Sequence, residues 1–252
     1  MNDTTTILFG TLLPFFLTSA GSAMVFFFRE KSSALAQRLF LGFAAGVMIA
    51  ASVWGLLMPA IEEAEASGGI GGFVLGAAVL MLLDTFLPHI HPASGEAEGL
   101  PSSWRRTTLM VSAVTLHNIP EGMAVGLSLA LAVQRNDSAA LTAALALSLG
   151  IGIQNFPEGA AVSLPLRQDG MGRFKAFVYG SLSGVVEPIF GVLVVLAAAG
   201  VNTLMPWLLS FAAGAMLYVV VEELVPQAHS RSGTCGFVVG FLVMMVLDVA
   251  LG

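Results

Sequence analysis

The chain has 252 residues, of which 56% are hydrophobic and only 10% are charged, and its formal net charge at pH 7 is −6. Soluble globular domains carry about 25% charged residues. This composition therefore excludes a soluble protein and predicts an all-α integral membrane protein. The lack of a basic patch argues against a nucleic-acid partner, and the single cysteine, Cys235, excludes an intrachain disulfide or a thiolate metal cluster.

Eight apolar stretches are long enough to cross a bilayer, which takes about 20 residues. They predict one transmembrane domain over residues 1–252, a bundle with kinked fourth and fifth helices at its centre. The predicted spans cover residues 5–28, 36–60, 69–89, 107–133, 139–166, 174–200, 203–225 and 233–251. The leading segment MNDTTT has no positive charge, so we do not expect it to begin a cleaved signal.

The connections between spans predict the orientation of the chain. Nine of the ten Lys and Arg residues fall in the odd-numbered connections. The positive-inside rule then places these connections in the cytoplasm and both termini outside, in a cell (inner) membrane. The second connection is acidic, with Glu62, Glu63 and Glu65. It is either an entrance that concentrates cations or a solvated helix end.

The third connection, residues 90–106, is rich in Gly, Pro and Ser, which predicts a mobile cytoplasmic loop. His89 and His91 lie at its start, and Glu96 and Glu98 follow. These side chains could hold a metal ion transiently on the cytoplasmic side, although His-x-His also occurs often by chance.

A polar motif is repeated in the fourth and fifth spans. HNIPEGMAVGL at 117–127 and QNFPEGAAVSL at 154–164 are identical at seven of eleven positions. Consecutive spans joined by a short loop run antiparallel. Two copies of one motif can then face each other near the bilayer midplane, as in many transporters.

The residue types in this repeat are those of a metal site. His117 and Glu121 are four residues apart and share a helix face, as do Asn118 and Glu121 at three residues. Pro120 and Pro157 each free a backbone carbonyl. The second copy offers Gln154, Asn155 and Glu158. Imidazole nitrogen, carboxylates and amide oxygens together suit a divalent transition ion such as Zn²⁺, Fe²⁺ or Mn²⁺.

An ionisable side chain at the bilayer centre costs about 2.5–3.5 kcal/mol of insertion free energy. This cost favours a functional role for the ionisable groups of the repeat. Glu187, followed by a proline in the sixth span, is predicted to add a third carboxylate. Met48 offers a thioether in the middle of the second span, but methionine is usually core filler. Asp84, Glu222 and Glu223 lie near the cytoplasmic ends of spans three and seven, where they could line an exit.

On HNIPEG and QNFPEG, with DTFLPHIH at 84–91 and VEELVPQAH at 221–229, the chain resembles the ZIP family of divalent metal-ion transporters, in its prokaryotic GufA-like branch. The resemblance implies a paired metal site in the transport path, no enzyme activity and no cofactor. It implies that the cargo, Zn²⁺ with Fe²⁺, Mn²⁺ and Cd²⁺ as alternatives, moves into the cytoplasm by alternating access through a metal site between helices 4, 5 and 6. Homodimers are common in the family, so we expect one here.

The family's metal ligands are carried over position by position. They fall on the following residues: His117, Asn118, Glu121, Gln154, Asn155, Glu158, Glu187 and, in some members, the span-two methionine, here Met48. Many members have His where Gln154 stands and some have Asp where Asn155 stands. These neutral amides lower the charge of the site and bear on which metal is preferred.

The sequence leaves two other classes of function open. An intramembrane metalloprotease needs a zinc-bound water and usually an H-E-x-x-H motif, which none of the four histidines forms. A proton- or organic-solute-coupled carrier would use the same carboxylates as proton shuttles and would leave metal uptake at background.

Overall fold

The computed structural model of the chain describes residues 3–27, 34–63, 66–90, 97–98, 106–198 and 202–251. Eight helical spans in it are long and apolar enough to cross a membrane, which confirms the prediction of an all-α multi-pass protein. In chain order, spans 1 to 8 are Asp3–Phe26, Leu35–Glu63, Gly69–Phe86, Val111–Arg135, Ser138–Gln168, Arg173–Ala198, Met205–Ala228 and Arg231–Ala250.

Only half of these spans are regular α-helices throughout. The α-helical segments are Asp3–Ser22, Ala34–Ala50, Met58–Glu63, Ala66–Phe86, Arg106–Arg135, Ser138–Gln168, Arg173–Ser183, Val186–Ala198, Met205–Val219, Val225–Ala228 and Arg231–Leu251. Short 3₁₀ turns cover Ala23–Phe26 and Asn202–Leu204, and π-helical turns cover Ala51–Leu57 in span 2 and Val220–Leu224 in span 7. Such π turns often occur at functional sites.

The third connection contributes the described β-structure. His89–Ile90 pairs antiparallel with Ala97–Glu98, and the backbone of His89 lies opposite that of Glu98. The rest of the loop predicted to be mobile, including His91 and Glu96, lies outside the described residues. The proposed cytoplasmic histidine site therefore stays a prediction.

The spans pack as two sets of four. In the first bundle, span 1 lies along span 5 and span 4 along span 6; in the second bundle, span 2 lies along span 8 and span 3 along span 7. The two bundles meet mainly where span 4 packs on span 7 and span 5 packs on spans 2 and 8. The two copies of the polar repeat consequently lie in one bundle.

A proline in span 1 shows how the first bundle satisfies its backbone. Pro14 lies inside the helix Asp3–Ser22 and has no N–H, so the carbonyl of Gly10 loses its intrahelical partner. The buried hydroxyl of Ser148 in span 5 donates to this carbonyl at 2.6 Å. An unsatisfied carbonyl is costly where no water reaches it, so this hydrogen bond fixes span 1 against span 5.

We expect the substitution Ser148→Ala to lower the free energy of unfolding by about 1–3 kcal/mol, because it leaves the buried Gly10 carbonyl without a partner. Thermal unfolding in detergent micelles measures this change. Thr142→Ala is the matched control, since the exposed Thr142 hydroxyl on the same helix donates only to the Ser138 carbonyl of its own helix. Equal melting temperatures for the two variants would contradict the expectation.

Candidate metal centre

The polar residues of the repeat are buried together in the first bundle. Spans 4 and 5 both continue as α-helix through the proline of the motif. The seven residues predicted from spans 4, 5 and 6 are each at most 8% exposed: His117, Asn118, Glu121, Gln154, Asn155, Glu158 and Glu187. So many buried polar and ionisable groups need partners, because burial without them is costly.

The two copies of the motif are in direct contact. The side-chain amide of Gln154 donates to Oε1 of Glu121 at 2.8 Å and also to Oδ1 of its neighbour Asn155. The carboxylate of Glu158 is close enough to the carboxylates of Glu121, Glu187 and Glu223 for their negative charges to repel one another. The structure thus brings the carboxylates of spans 4, 5 and 6 into one cluster.

The glycine of each motif lets its helix approach a neighbour closely. A Cβ on Gly122 would lie 2.6 Å from Cα of Glu187 in span 6. A Cβ on Gly159 would lie 2.9 Å from the backbone nitrogen of Ser22 in span 1. Both distances are shorter than side chains tolerate, so only glycine permits these contacts, as small residues do in membrane helix interfaces generally.

Span 6 is interrupted beside the cluster. Its first helix ends at Ser183, its second begins at Val186, and Glu187 stands in the first turn of the second helix. The amide of Asn118 donates to the carbonyl of Ser183 at 3.0 Å, which satisfies a helix end that the break leaves open. Discontinuous helices of this kind line the binding sites of many transporters.

Two residues that the sequence did not place at the cluster also reach it. Oε1 of Glu223, buried in the π turn of span 7, contacts Nε2 of His117. The hydroxyl of Thr18 in span 1 lies 3.1 Å from Oε1 of Glu187. Glu223 is recognisable in the sequence as an acidic residue in an apolar span, but its position indicates the cytoplasmic end of the span rather than the cluster. No sequence signal marked Thr18.

The cluster holds acceptor oxygens without a hydrogen-bond partner in the described part of the chain. These buried oxygens are Oδ1 of Asn118, Oε2 of Glu121, Oε1 of Gln154, Oε2 of Glu158 and Oε2 of Glu187. Buried polar atoms are normally paired. Five unpaired acceptor oxygens from three helices, close together, would attract a cation.

The cluster is not arranged as a finished coordination shell. Among the described residues, no group of three or more His, Cys, Asp and Glu side chains is placed to hold a metal ion. One atom of each of three groups is already in contact with another side chain: His117 with Glu223, Glu121 with Gln154 and Glu187 with Thr18. Ion binding through these engaged atoms would require them to exchange partners, whereas Oε2 of Glu121 and Oε2 of Glu187 are free of hydrogen bonds within the described residues.

Four other residues are candidates from the sequence: Met48, His89, His91 and Asp84. Met48 is fully buried in the apolar core, and its backbone carbonyl accepts from the hydroxyl of Ser52 at 2.7 Å. His89 is described only through its backbone, and His91 lies beyond the described residues. Asp84 accepts a hydrogen bond of 3.0 Å from the hydroxyl of Tyr218, which joins spans 3 and 7.

A cavity of about 180 Å³ opens between the two bundles at the end of span 4. Its charged lining comes from Glu62, Arg135 and Asp248. Ser128 also lines it and lies on the same face of span 4 as Glu121, about two turns away. The Arg135 guanidinium pairs with the Glu63 carboxylate across the two bundles at this end.

The chain is similar in sequence to a family of known proteins. A sequence model described as "ZIP Zinc transporter" matches residues 94–248. The human zinc transporter ZIP11 is 37% identical with 97% of each chain covered. Zinc transporter GufA of Myxococcus xanthus is 36% identical over 78% of this chain and 80% of its own. Zinc transporter ZIPB of Bordetella bronchiseptica is 36% identical over 94% of this chain and 79% of its own.

These matches confirm the resemblance on which the sequence interpretation rested, including its prokaryotic branch. The relatives are named as transporters, which agrees with the prediction that the chain is not an enzyme. The family model covers more than half of the residues, and the relatives align with most of the chain. The chain is a multi-pass membrane protein that belongs to the ZIP zinc transporter family.

Proposed function

We propose that the chain carries divalent transition-metal ions into the cytoplasm through the cluster between spans 4, 5 and 6. Zn²⁺ is the first candidate because the relatives are named zinc transporters; Fe²⁺, Mn²⁺ and Cd²⁺ are the alternatives. The observation that carries the proposal is the set of five buried acceptor oxygens without partners, contributed by three helices of one bundle. A divalent cation satisfies these oxygens and offsets the repulsion between the buried carboxylates.

This arrangement supports the following choice of ligands. His117, Glu121 and Glu158 would supply the imidazole and two carboxylates, with Glu187 as the third carboxylate. Asn118, Gln154 and Asn155 would add amide oxygens or orient the carboxylates. Met48, His89 and His91 stay additional candidates. A mixed nitrogen and oxygen set favours Zn²⁺ and its neighbours over Mg²⁺ and Ca²⁺, which prefer oxygen alone.

The arrangement of the two bundles supports transport by alternating access. Every ligand from spans 4, 5 and 6 belongs to the first bundle, whereas Glu223 belongs to the second. The His117–Glu223 and Arg135–Glu63 contacts both cross between the bundles. Movement of one bundle against the other would break these contacts in turn and expose the cluster to each side. The cavity beside Arg135 would then be the entrance on the acidic side.

Three further expectations belong to this proposal. Both termini lie outside the cytoplasm, the protein resides in a cell membrane, and it forms a homodimer. The excess of basic residues in the odd connections supports the orientation. The lipid bilayer and the transported ion are then its principal partners.

Metal-competition uptake into proteoliposomes tests the function. We expect the purified protein to accumulate radioactive Zn²⁺ above empty liposomes, and unlabelled Cd²⁺, Fe²⁺ or Mn²⁺ to reduce this uptake. Excess Mg²⁺ and Ca²⁺ should compete weakly, because these ions prefer oxygen ligands alone and the site includes an imidazole nitrogen. The variant Glu158→Gln, which keeps the side-chain size and removes one carboxylate, should take up Zn²⁺ more slowly.

Uptake at the level of empty liposomes would contradict the proposal and favour a carrier of protons or organic solutes. Equal competition by Mg²⁺ would reject the transition-metal assignment. Cleavage of a membrane substrate that depends on added Zn²⁺ would instead favour the metalloprotease.

A further inference from the structure

Span 1 contributes none of the ligands predicted from sequence, yet one of its side chains touches the cluster. Thr18 is completely buried, and its hydroxyl lies 3.1 Å from Oε1 of Glu187, a residue 169 positions later. The buried positions of span 1 that include Thr11, Thr18 and Ser22 repeat at helical spacing and form its face toward spans 5 and 6. Thr18 thus joins this face to the metal cluster.

The usual behaviour of a threonine in a membrane helix makes this contact informative. Such hydroxyls normally donate to the carbonyl four residues earlier, and Thr11 does so with the carbonyl of Ile7 at 2.9 Å. Thr18 has the corresponding option, since the Pro14 carbonyl also lies 3.1 Å away. The hydroxyl has a single proton. A hydrogen bond to an ionised carboxylate is about twice as strong as one to a neutral acceptor, so the ionised form of Glu187 is the favoured partner.

Packing holds the Glu187 carboxylate against Thr18. A Cβ on Gly184 would lie 2.8 Å from Oε1 of Glu187 and 2.9 Å from Cγ2 of Thr18, so the absence of a side chain at Gly184 makes room for the pair. The backbone nitrogen of Glu187 donates to the Gly184 carbonyl at 3.1 Å, which fixes the start of the second half of span 6. One carboxylate oxygen is therefore engaged on the side of span 1.

The other oxygen of the same carboxylate is left available. Oε2 of Glu187 is buried and has no hydrogen-bond partner among the described residues. A carboxylate with one oxygen anchored and the other free is prepared to bind a cation through a single oxygen. Groups that orient a metal ligand in this way typically contribute 10–100-fold to metal affinity, as an order of magnitude.

We infer that Thr18 is a positioning residue for transport: its hydroxyl anchors Oε1 of Glu187 so that Oε2 is presented to the transported cation. This inference rests on the proposed function, because it requires Glu187 to contact the ion. It adds span 1, which supplies no predicted ligand, to the machinery of the site.

Three variants separate positioning from packing. Thr18→Val keeps the shape of the side chain and removes the hydroxyl, whereas Thr18→Ser keeps the hydroxyl and removes the methyl group that faces Gly184. Thr11→Val is the matched control, because Thr11 is buried two turns away on the same helix and bonds only carbonyls of its own helix. All three are compared with wild type in proteoliposome uptake of Zn²⁺, with KM and maximal rate measured separately.

We expect Thr18→Val to raise the KM for Zn²⁺ by about 10–100-fold, with a smaller effect on the maximal rate. Thr18→Ser should restore the wild-type KM, and Thr11→Val should leave it unchanged. A packing role predicts the opposite order, with Val close to wild type and Ser impaired. That opposite order, or an unchanged KM in Thr18→Val, would overturn the inference.

Glu187→Ala distinguishes the inference from the proposed function. If Glu187→Ala raises the KM and Thr18→Val does not, only the role of Thr18 is wrong. If Glu187→Ala transports with the wild-type KM, Glu187 is not a ligand and the inference fails together with that part of the proposed site. Should Thr18→Val not fold, Thr18→Ala against Thr18→Ser gives the same comparison, since these two differ only by the hydroxyl.

Discussion

Alanine in place of Glu121 or His117 is expected to reduce Zn²⁺ uptake into proteoliposomes to background while the protein stays folded. Each substitution removes a candidate ligand from the buried cluster, in which Glu121 is fully buried and His117 is 7% exposed. Loss of a group that only orients a ligand costs about 10–100-fold in metal affinity, and loss of a ligand should cost at least as much. Uptake at low Zn²⁺ concentration is therefore the sensitive measurement.

The control for this experiment is Asp169→Ala, which removes an exposed carboxylate beyond the end of span 5. It should transport like wild type, and all three variants should elute as a single species from size-exclusion chromatography. Near-normal uptake by both the Glu121 and the His117 variant at low metal concentration would remove the cluster from the transport path.

The second large effect concerns the contact between spans 4 and 6. Gly122→Ala places a methyl group 2.6 Å from Cα of Glu187, a backbone atom that cannot yield without moving the second half of span 6. Overpacking of this kind costs about 1–3 kcal/mol, and displacement of Glu187 should also impair Zn²⁺ uptake. Thermal unfolding in detergent and the uptake assay measure the two effects.

Gly69→Ala is the matched control, since a Cβ on this buried helical glycine would meet only the side chain of Ile61, at an ordinary 3.4 Å. Alanine is favoured over glycine within helices by about 1 kcal/mol, so this variant should be at least as stable as wild type. If Gly122→Ala melted at the same temperature as Gly69→Ala, the close approach of spans 4 and 6 would be wrong.

Much of the fold could be predicted from the sequence because hydropathy and helical length are local properties. Eight apolar stretches predicted the eight spans, and the repeat predicted that spans 4 and 5 carry related polar faces. The hydrogen bond from Gln154 to Glu121 joins the two copies of the repeat directly.

The features that escaped prediction depend on contacts between distant parts of the chain. Nothing local to Thr18 indicates that it reaches Glu187. The π turn at Val220–Leu224 likewise shifts the helix face on which Glu223 lies, so helical spacing alone could not place its carboxylate beside His117. The break of span 6 after Ser183 has a weak local signal in Gly184, but the amide that satisfies it comes from Asn118 in another span.

The central question about this protein is which residues surround the bound ion. The most direct measurement is the anomalous scattering of crystals of the protein loaded with Zn²⁺ or Cd²⁺. We predict a peak inside the first bundle, with a Zn²⁺ ion about 2.0–2.2 Å from carboxylate oxygens or the imidazole nitrogen, contributed by Glu121 or His117 of span 4 and Glu158 of span 5. Peaks confined to the loop after span 3 or to the protein surface would contradict it.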